Sequence, residues 1–193
     1  MKKFFATLLA ALTLCLLTAC GTSAEEKSPA QVEEPANKIL VAYFSCTGNT
    51  KKAALEVAEL LNADTFEIVP AQAYTSDDLN YHAENCRANV EQKDNAARPA
   101  IKNKLDNPAQ YKAIIVAFPI WWGAEPRIID TFVESLNLSG KVIVPVCTSG
   151  GSDIHSATAN LSALCKGADV RDGQRLNGMS KDGLKAWVDG LKL

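Results

Sequence analysis

The sequence predicts an α/β fold, a parallel sheet with helices on both of its faces. Three observations predict it. The apolar runs at 39–44, 113–119 and 141–147 are nearly continuous, as strands buried on both faces must be. Segments with apolar residues at helical spacing lie between them. Each of the three runs also ends in a loop carrying hydroxyls, glycines or tryptophans, so the chemistry gathers at the carboxyl ends of the strands.

The elements follow in order. Residues 39–44 form the first strand, and a helix over 50–61 follows, with Ala54, Leu55, Ala58 and Leu61 on its apolar stripe. Residues 64–69 alternate as a short strand, with Phe66 and Ile68 on one face. The stretch 70–111 breaks the rhythm, being long and polar. A helix is expected over 77–92, capped by Ser76 or Asp77, with turns at Arg98-Pro99 and Asn107-Pro108. It reads either as a solvated excursion or as a lid beside the first loop. Strand 113–119 leads to a helix over 126–136, and strand 141–147 to a helix over 153–164 that ends at Gly167. Residues 168–170 begin a fifth strand, and 181–191 make the last helix.

The chain has 193 residues, enough for one sizeable domain, which the pattern places at 38–193. With 20 Lys and Arg against 22 Asp and Glu, nothing in the charge points to a nucleic-acid partner. The beginning of the chain is different. Lys2-Lys3 precedes an apolar stretch at 4–17 that is short for a membrane span and suits a secretory signal. Leu17-Thr18-Ala19-Cys20 resembles the lipobox of bacterial lipoproteins, in which the cysteine is acylated. The expectation is a signal peptide at 1–19, lipidation at Cys20, and a disordered Ala-, Ser-, Glu- and Pro-containing tether at 20–37. The product would be an exported lipoprotein held at a membrane of the cell envelope, each acyl chain contributing about 0.8 kcal/mol per buried CH₂. An uncleaved anchor, or an ordinary signal with an incidental cysteine, is the alternative.

Four cysteines remain in the domain: Cys46, Cys86, Cys147 and Cys165. An even number in an exported domain permits disulfides. Cys46 and Cys147 each follow or close a strand, with a third strand expected between them, so free thiols are the expected state there. The Cys86–Cys165 pairing stays open. No Cys or Cys/His spacing suggests zinc, and no metal site is expected.

Three loops carry the chemistry. The first contains Ser45, Thr47, Gly48, Asn49 and Thr50 at the start of a helix. Its hydroxyls and backbone amides, aided by the helix dipole, suit a phosphate monoester without a cation. It is neither G-x-G-x-x-G nor a nucleotide P-loop. A plain helix start capped by Thr47 or Asn49 is the competing reading. The second loop contains Pro119, Ile120, Trp121 and Trp122, with Pro126 beyond. Adjacent side chains rarely face the same way, so one tryptophan is expected to pack inward and the other to line a planar ligand. The third contains Cys147, Thr148, Ser149, Gly150 and Gly151, where glycines let backbone approach a heterocycle closely. A flexible turn capped by Ser152 or Asp153 is the alternative.

Ser45, Thr47, Gly48 and Thr50 resemble the [ST]-x-T-G-x-T phosphate loop of flavodoxins. Phe118 to Trp122 with Pro126, and Cys147 to Gly151, resemble the two flavin-ring loops of that family in order and spacing. The resemblance covers 38–193. It implies a flavodoxin-like three-layer sandwich with a five-stranded sheet in order 2-1-3-4-5, binding FMN at the switch point. It further implies that Ser45, Thr47, Gly48, Asn49 and Thr50 hold the FMN phosphate. Pro119, Ile120, Trp121 and Trp122 would line the ring, and Cys147, Thr148, Ser149 and Gly150 would border its pyrimidine side. Two departures stand out: the third loop has no aromatic residue, and Arg127 with Lys51-Lys52 tempers the acidity usual around the flavin. One ring face is therefore open to a substrate. His155 is either a proton donor to the flavin or a surface helix residue, and His82 has the weaker claim.

The function expected is that of an FMN-binding redox protein that mediates electron transfer with a partner protein or a small-molecule acceptor. An FMN-dependent NAD(P)H:quinone-type reductase, and a binding lipoprotein without cofactor, are the alternatives. No catalytic side chain is assigned.

Overall fold

The structure, a computed structural model, describes residues 36–193. The signal peptide expected at 1–19, the acylation expected at Cys20 and nearly all of the tether expected at 20–37 lie outside the described residues. Strands β1 (Lys38–Tyr43), β2 (Asp64–Glu67), β3 (Tyr111–Pro119), β4 (Val142–Thr148), β5 (Asp169–Val170) and β6 (Gln174–Arg175) alternate with helices α1 (Asn49–Leu61), α2 (Arg87–Lys93), α3 (Arg127–Glu134), α4 (His155–Leu164) and α5 (Lys181–Gly190). The strands are parallel in the order β2-β1-β3-β4-β5, as the sequence predicts.

The apolar strands alternate between two cores because successive side chains point to opposite faces. Leu40, Ala42, Phe44, Ile114, Val116 and Phe118 pack with Ile128 and Ile129 of α3 and Leu161 of α4. Val41, Tyr43, Ile115, Ala117, Val144 and Val146 pack with Ala54 and Val57 of α1 and with Leu184 and Val188 of α5. Both cores hold side chains with no exposed surface, which explains why β1, β3 and β4 read as continuous apolar runs.

Three elements differ from expectation. The helix expected over 77–92 is present only at its end, as α2. Turns replace the rest because local side chains hold the backbone. Asp78 Oδ2 accepts from the Thr75 amide at 2.8 Å, Thr75 Oγ1 accepts from the Asp78 amide at 3.2 Å, and Asn80 Oδ1 accepts from the His82 amide at 3.3 Å. Strand β2 stops at Glu67, although the Ile68 amide still reaches the Tyr43 carbonyl at 2.7 Å.

The fifth strand position is divided. β5 pairs with Val142 and Ile143, and β6 pairs with Val146 and Cys147 farther up the same strand. Gly173 lies between the two pieces. A Cβ there would meet Thr158 Oγ1 at 2.5 Å and Ile154 Cδ1 at 2.9 Å, so the chain passes α4 only as glycine.

Cys86, Cys147 and Cys165 are buried free thiols and Cys46 is an exposed one. β3 lies between the strands that precede Cys46 and contain Cys147.

Candidate functional site

A pocket of about 870 Å³ opens at the carboxyl ends of β1, β3 and β4, within the usual range for cofactor sites. All three sequence-predicted loops reach it.

In the first loop, the Ser45 hydroxyl accepts from the Gly48 amide at 3.1 Å and closes the turn. Gly48 has φ +87°, a left-handed conformation that favours glycine, and the helix begins at the next residue. No side chain caps α1. Instead Asn49 Nδ2 donates to Thr47 Oγ1 at 3.2 Å, so the capping alternative for Thr47 and Asn49 does not hold. The amides of Asn49, Thr50 and Lys51 precede the first α1 bond, from the Lys52 amide to the Gly48 carbonyl. Thr47, Asn49 and Thr50 line the pocket, while Ser45 and Gly48 shape the turn behind it. Cys46 also lines it, and crowding by its surroundings pushes its thiol up to about 11, so it stands protonated.

In the second loop, Trp121 and Ala124 exchange backbone hydrogen bonds at 2.9 and 3.1 Å. Trp122 at φ +50° and Gly123 at φ +81° occupy the centre of this tight turn, the pattern of a type I′ turn. The tryptophans face opposite ways, as expected. Trp121 is 3% exposed and lines the pocket, its ring edge-on to Phe44, Tyr74 and Tyr81 at 5.6, 5.3 and 6.5 Å. Trp122 is 67% exposed and stands outside the pocket wall. Its indole N–H donates to Asn89 Oδ1 at 2.6 Å, which holds the left-handed residue in place. The inward tryptophan is therefore the lining one, and the expectation for Trp122 is corrected. Pro119 and Ile120 line the pocket beside Trp121.

Gln92 of α2 supports this loop from below. Its Nε2 donates to the carbonyls of Trp121 and Glu125 at 3.0 and 3.1 Å, and its Oε1 accepts from the Arg127 amide at 3.2 Å. Arg127 is buried, not facing the flavin side as expected. Its guanidinium meets Asp130 at 3.3 Å, Asn95 Oδ1 at 2.6 Å and Glu125 at 3.9 Å. Glu125 has no exposed surface. Burial first, and then the charge of Asp130, push its carboxyl up to about 7, against hydrogen bonding that includes Asn160 Nδ2 at 3.2 Å. Burial also raises Asp130, with Arg127 and then Arg98 opposing.

In the third loop, Thr148, Ser149 and Gly150 line the pocket. Asn177 clamps this loop. Its Oδ1 accepts from the Ser149 amide at 2.9 Å and its Nδ2 donates to the Ser149 carbonyl at 2.7 Å. The Ile120 amide donates to the Thr148 carbonyl at 2.9 Å, which joins the second and third loops. Cys147 does not border the pocket. It lies inside β4 in the core, burial pushes its thiol up to about 12, and its carbonyl is taken by the Leu176 amide at 2.8 Å.

Some lining residues escaped the sequence reading. Leu79 and Tyr81 come from the polar stretch after β2, which places that stretch beside the pocket. Lys52 and Glu56 come from the exposed side of α1, Asn177 and Met179 from the turn between β6 and α5, and Lys181 from the start of α5. The Asn177-Gly178 pair, with Gly178 at φ +88°, is a turn signal that could have marked this last loop. The histidines are elsewhere. His155 is exposed and faces Asp153 Oδ1 at 3.2 Å, and neither it nor His82 lines the pocket.

The wall thus joins a polar end, made of hydroxyls and helix amides, to an apolar end made of Ile120, Trp121 and Tyr81. Such a donor set suits a phosphate monoester attached to a flat heterocycle. Among the described residues, no cluster of acidic, His or Cys side chains could hold a metal ion.

The sequence model of the family described as Flavodoxin matches residues 38–191. A solved structure from Bacteroides uniformis, of a protein provisionally termed a flavoprotein, is 44% identical with a TM-score of 0.77, over 80% of this chain and 99% of that one. Another, from Bacteroides eggerthii and termed in the same way, is 41% identical with a TM-score of 0.77, over 81% of this chain and 98% of that one. A Lactobacillus acidophilus flavoprotein solved in complex with FMN shares the fold, at 22% identity and a TM-score of 0.61 over 74% of this chain and 95% of that one. Among curated proteins, none matches.

Proposed function

From the chain's membership of the flavodoxin family, we propose that its pocket binds FMN and that the protein mediates electron transfer. The observation that carries this reading is the joining of an uncapped α1 N-terminus to a Trp121-floored apolar wall within one pocket. The amides at the start of α1 and the hydroxyls of Thr47 and Thr50 would hold the phosphate, with the helix dipole adding favourable field. Ile120, Trp121 and Tyr81 would flank the ring. Thr148, Ser149 and Gly150 would meet its polar edge, held in place by Asn177. FMN supplies the electron-accepting chemistry when bound, and the protein supplies binding, orientation and exclusion of water.

A second reading, an FMN-dependent reductase of the NAD(P)H:quinone type, draws on one observation. The third loop adds no aromatic side chain to the pocket, so no ring from that loop would stack on the flavin. Export and acylation at Cys20 belong to the same proposal. They would put the pocket in the cell envelope, tethered to a membrane, facing a redox partner protein or a small acceptor.

Visible absorbance and flavin fluorescence during titration of the purified protein with FMN test the core of this reading. Saturable binding at micromolar FMN is expected, and its absence would sink both redox roles. Steady NAD(P)H oxidation with a quinone would select the reductase, and an inert holoprotein the carrier. Mass spectrometry of the mature protein checks for diacyl or triacyl mass on Cys20.

A further inference from the structure

Behind the second pocket loop lies a buried charge cluster that the FMN reading leaves unused. Glu125, within that loop, has no exposed surface, and Asp130 of α3 is 2% exposed. Arg127 is the buried cation, 3.3 Å from Asp130 and 3.9 Å from Glu125. Arg98 reaches Asp130 at 3.6 Å, but its guanidinium also grips Glu134 at 2.7 and 2.8 Å, with the exposed Asp94 nearby. From α4, Asn160 Nδ2 donates to Glu125 at 3.2 Å. Just past that helix the Cys165 thiol faces Asp130, and burial pushes it up to about 11, so it is uncharged. Gln92 of α2 and Asn95 add neutral side chains. Three carboxyl groups, Glu125, Asp130 and Glu134, thus face two guanidiniums. One proton balances the set, and Glu125 has the most distant guanidinium. Asp130 Oδ1 is buried with no hydrogen-bond partner among the described residues. A protonated Glu125 beside it can donate to Asp130.

We propose that Glu125 is a positioning residue for the second loop: protonated and bonded to Asp130, it holds the 119–126 turn in its pocket-lining position, and on ionising it releases that turn. The consequence for FMN rests on the FMN reading and deepens it. An ionised Glu125 would be a second buried carboxylate beside Asp130, with Arg127 already engaged. Such a charge is costly away from water and draws the chain toward solvent. The carboxyl belongs to the turn, so hydrating it lifts the turn. What holds the turn is the Trp121–Ala124 backbone pair, the Ile120 amide on the Thr148 carbonyl, and Gln92 on the carbonyls of Trp121 and Glu125. Trp121, which lines the pocket, moves with the turn. The proton passes only between Glu125 and solvent, so the step needs no other reactant. The pocket wall is complete at acid pH and loosens as pH rises.

The test compares the full chain with Glu125→Gln, which keeps the uncharged shape at every pH. FMN is titrated into both from pH 5 to pH 8. The ratio of the two dissociation constants removes the titration of the phosphate, His82 and His155, which both proteins share. With the carboxyl titrating at about 7, about a tenth of the wild type keeps the proton at pH 8. Glu125→Gln should therefore bind FMN about tenfold more tightly there, and equally at pH 5. Without FMN, the amides of Trp121 and Ala124 should exchange about threefold faster or more in the wild type than in Glu125→Gln at pH 8, and alike at pH 5. A dissociation-constant ratio that stays constant with pH, with FMN bound, overturns the inference and leaves the FMN reading intact. Equal exchange at pH 8 overturns it whether or not FMN binds. Carbon-13 NMR of the Glu125 carboxyl in the wild type needs no variant, and a carboxyl already ionised at pH 5 overturns the inference. Failure of both proteins to bind FMN overturns the FMN reading, and the exchange result then decides the role of Glu125 by itself.

Discussion

The hydroxyls of Thr50 and Thr148 lie 2.8 Å apart and share one hydrogen bond. Thr50 lies in the first turn of α1 and Thr148 ends β4, so this contact ties the first pocket loop to the third across 98 residues of chain. Both side chains are largely buried, which means the bond is shielded from water and its loss leaves an unmatched hydroxyl.

Thr50→Val keeps the shape of the side chain and removes that bond. It should lower stability by about 1–2 kcal/mol, because the Thr148 hydroxyl loses its partner, and weaken FMN by about 1–3 kcal/mol. Thr47→Ala, at an exposed position, should weaken FMN while leaving stability within about 0.5 kcal/mol. Urea unfolding and FMN titration of both variants separate the effects. Equal loss of stability in the two would contradict the geometry, and unchanged FMN affinity in both would reject the phosphate assignment.

Asn177→Ala removes both hydrogen bonds to the Ser149 backbone. The third loop should then fluctuate more while the core stays intact, since Asn177 is exposed. FMN affinity is expected to fall about 1–2 kcal/mol with a smaller change in stability. Faster amide exchange at Ser149 to Gly151 is the direct check, and unchanged exchange there would show that Asn177 does not hold the loop.

Trp121 and Trp122 should behave as opposites. Trp121→Ala empties the centre of a cluster formed with Phe44, Tyr74 and Tyr81, and should cost about 3–5 kcal/mol of stability. Trp122→Ala loses the bond to Asn89 and leaves that buried amide oxygen without its partner, at about 1–2 kcal/mol. FMN affinity should change little in Trp122→Ala, as its ring lies outside the pocket. A large loss of FMN binding in that variant would restore the expectation that Trp122 lines the ring.

These predictions draw unequally on the sequence. β1, β3 and β4 were legible because strands buried on both faces must be apolar throughout, and their loops fell into place with them. The divided fifth strand was not, because Gln174 and Arg175 pair through backbone alone and carry no apolar pattern. The helix over 77–92 was overextended because Thr75, Asp78 and Asn80 satisfy backbone groups locally and compete with helix formation. Arg127 looked like a surface charge near the pocket. Its burial depends on Gln92, Asn95 and Asp130, partners whose meeting only the tertiary fold decides. Tyr81 and Asn177 reached the pocket from segments whose polar composition gave no period to follow.

Glu125 makes stability depend on pH. In the unfolded chain its carboxyl titrates near the ordinary glutamate value, about 4.3, and in the folded protein at about 7 because it is fully buried beside Asp130. Burial raises Asp130 in the same direction. Between the two values the folded state binds more protons than the unfolded state, so stability must fall as pH rises through that window. The contribution is complete below about pH 4.3, is lost progressively up to about pH 7, and stays lost above; a shift of this size corresponds to roughly 3–4 kcal/mol. Glu125→Gln is neutral at every pH, and its side-chain carbonyl can still accept from Asn160. Its unfolding free energy should therefore lie close to the wild type at pH 5 and above it at pH 8. Urea unfolding of both proteins from pH 5 to pH 8 makes the comparison, and parallel curves across that range would show that Glu125 does not carry the proton.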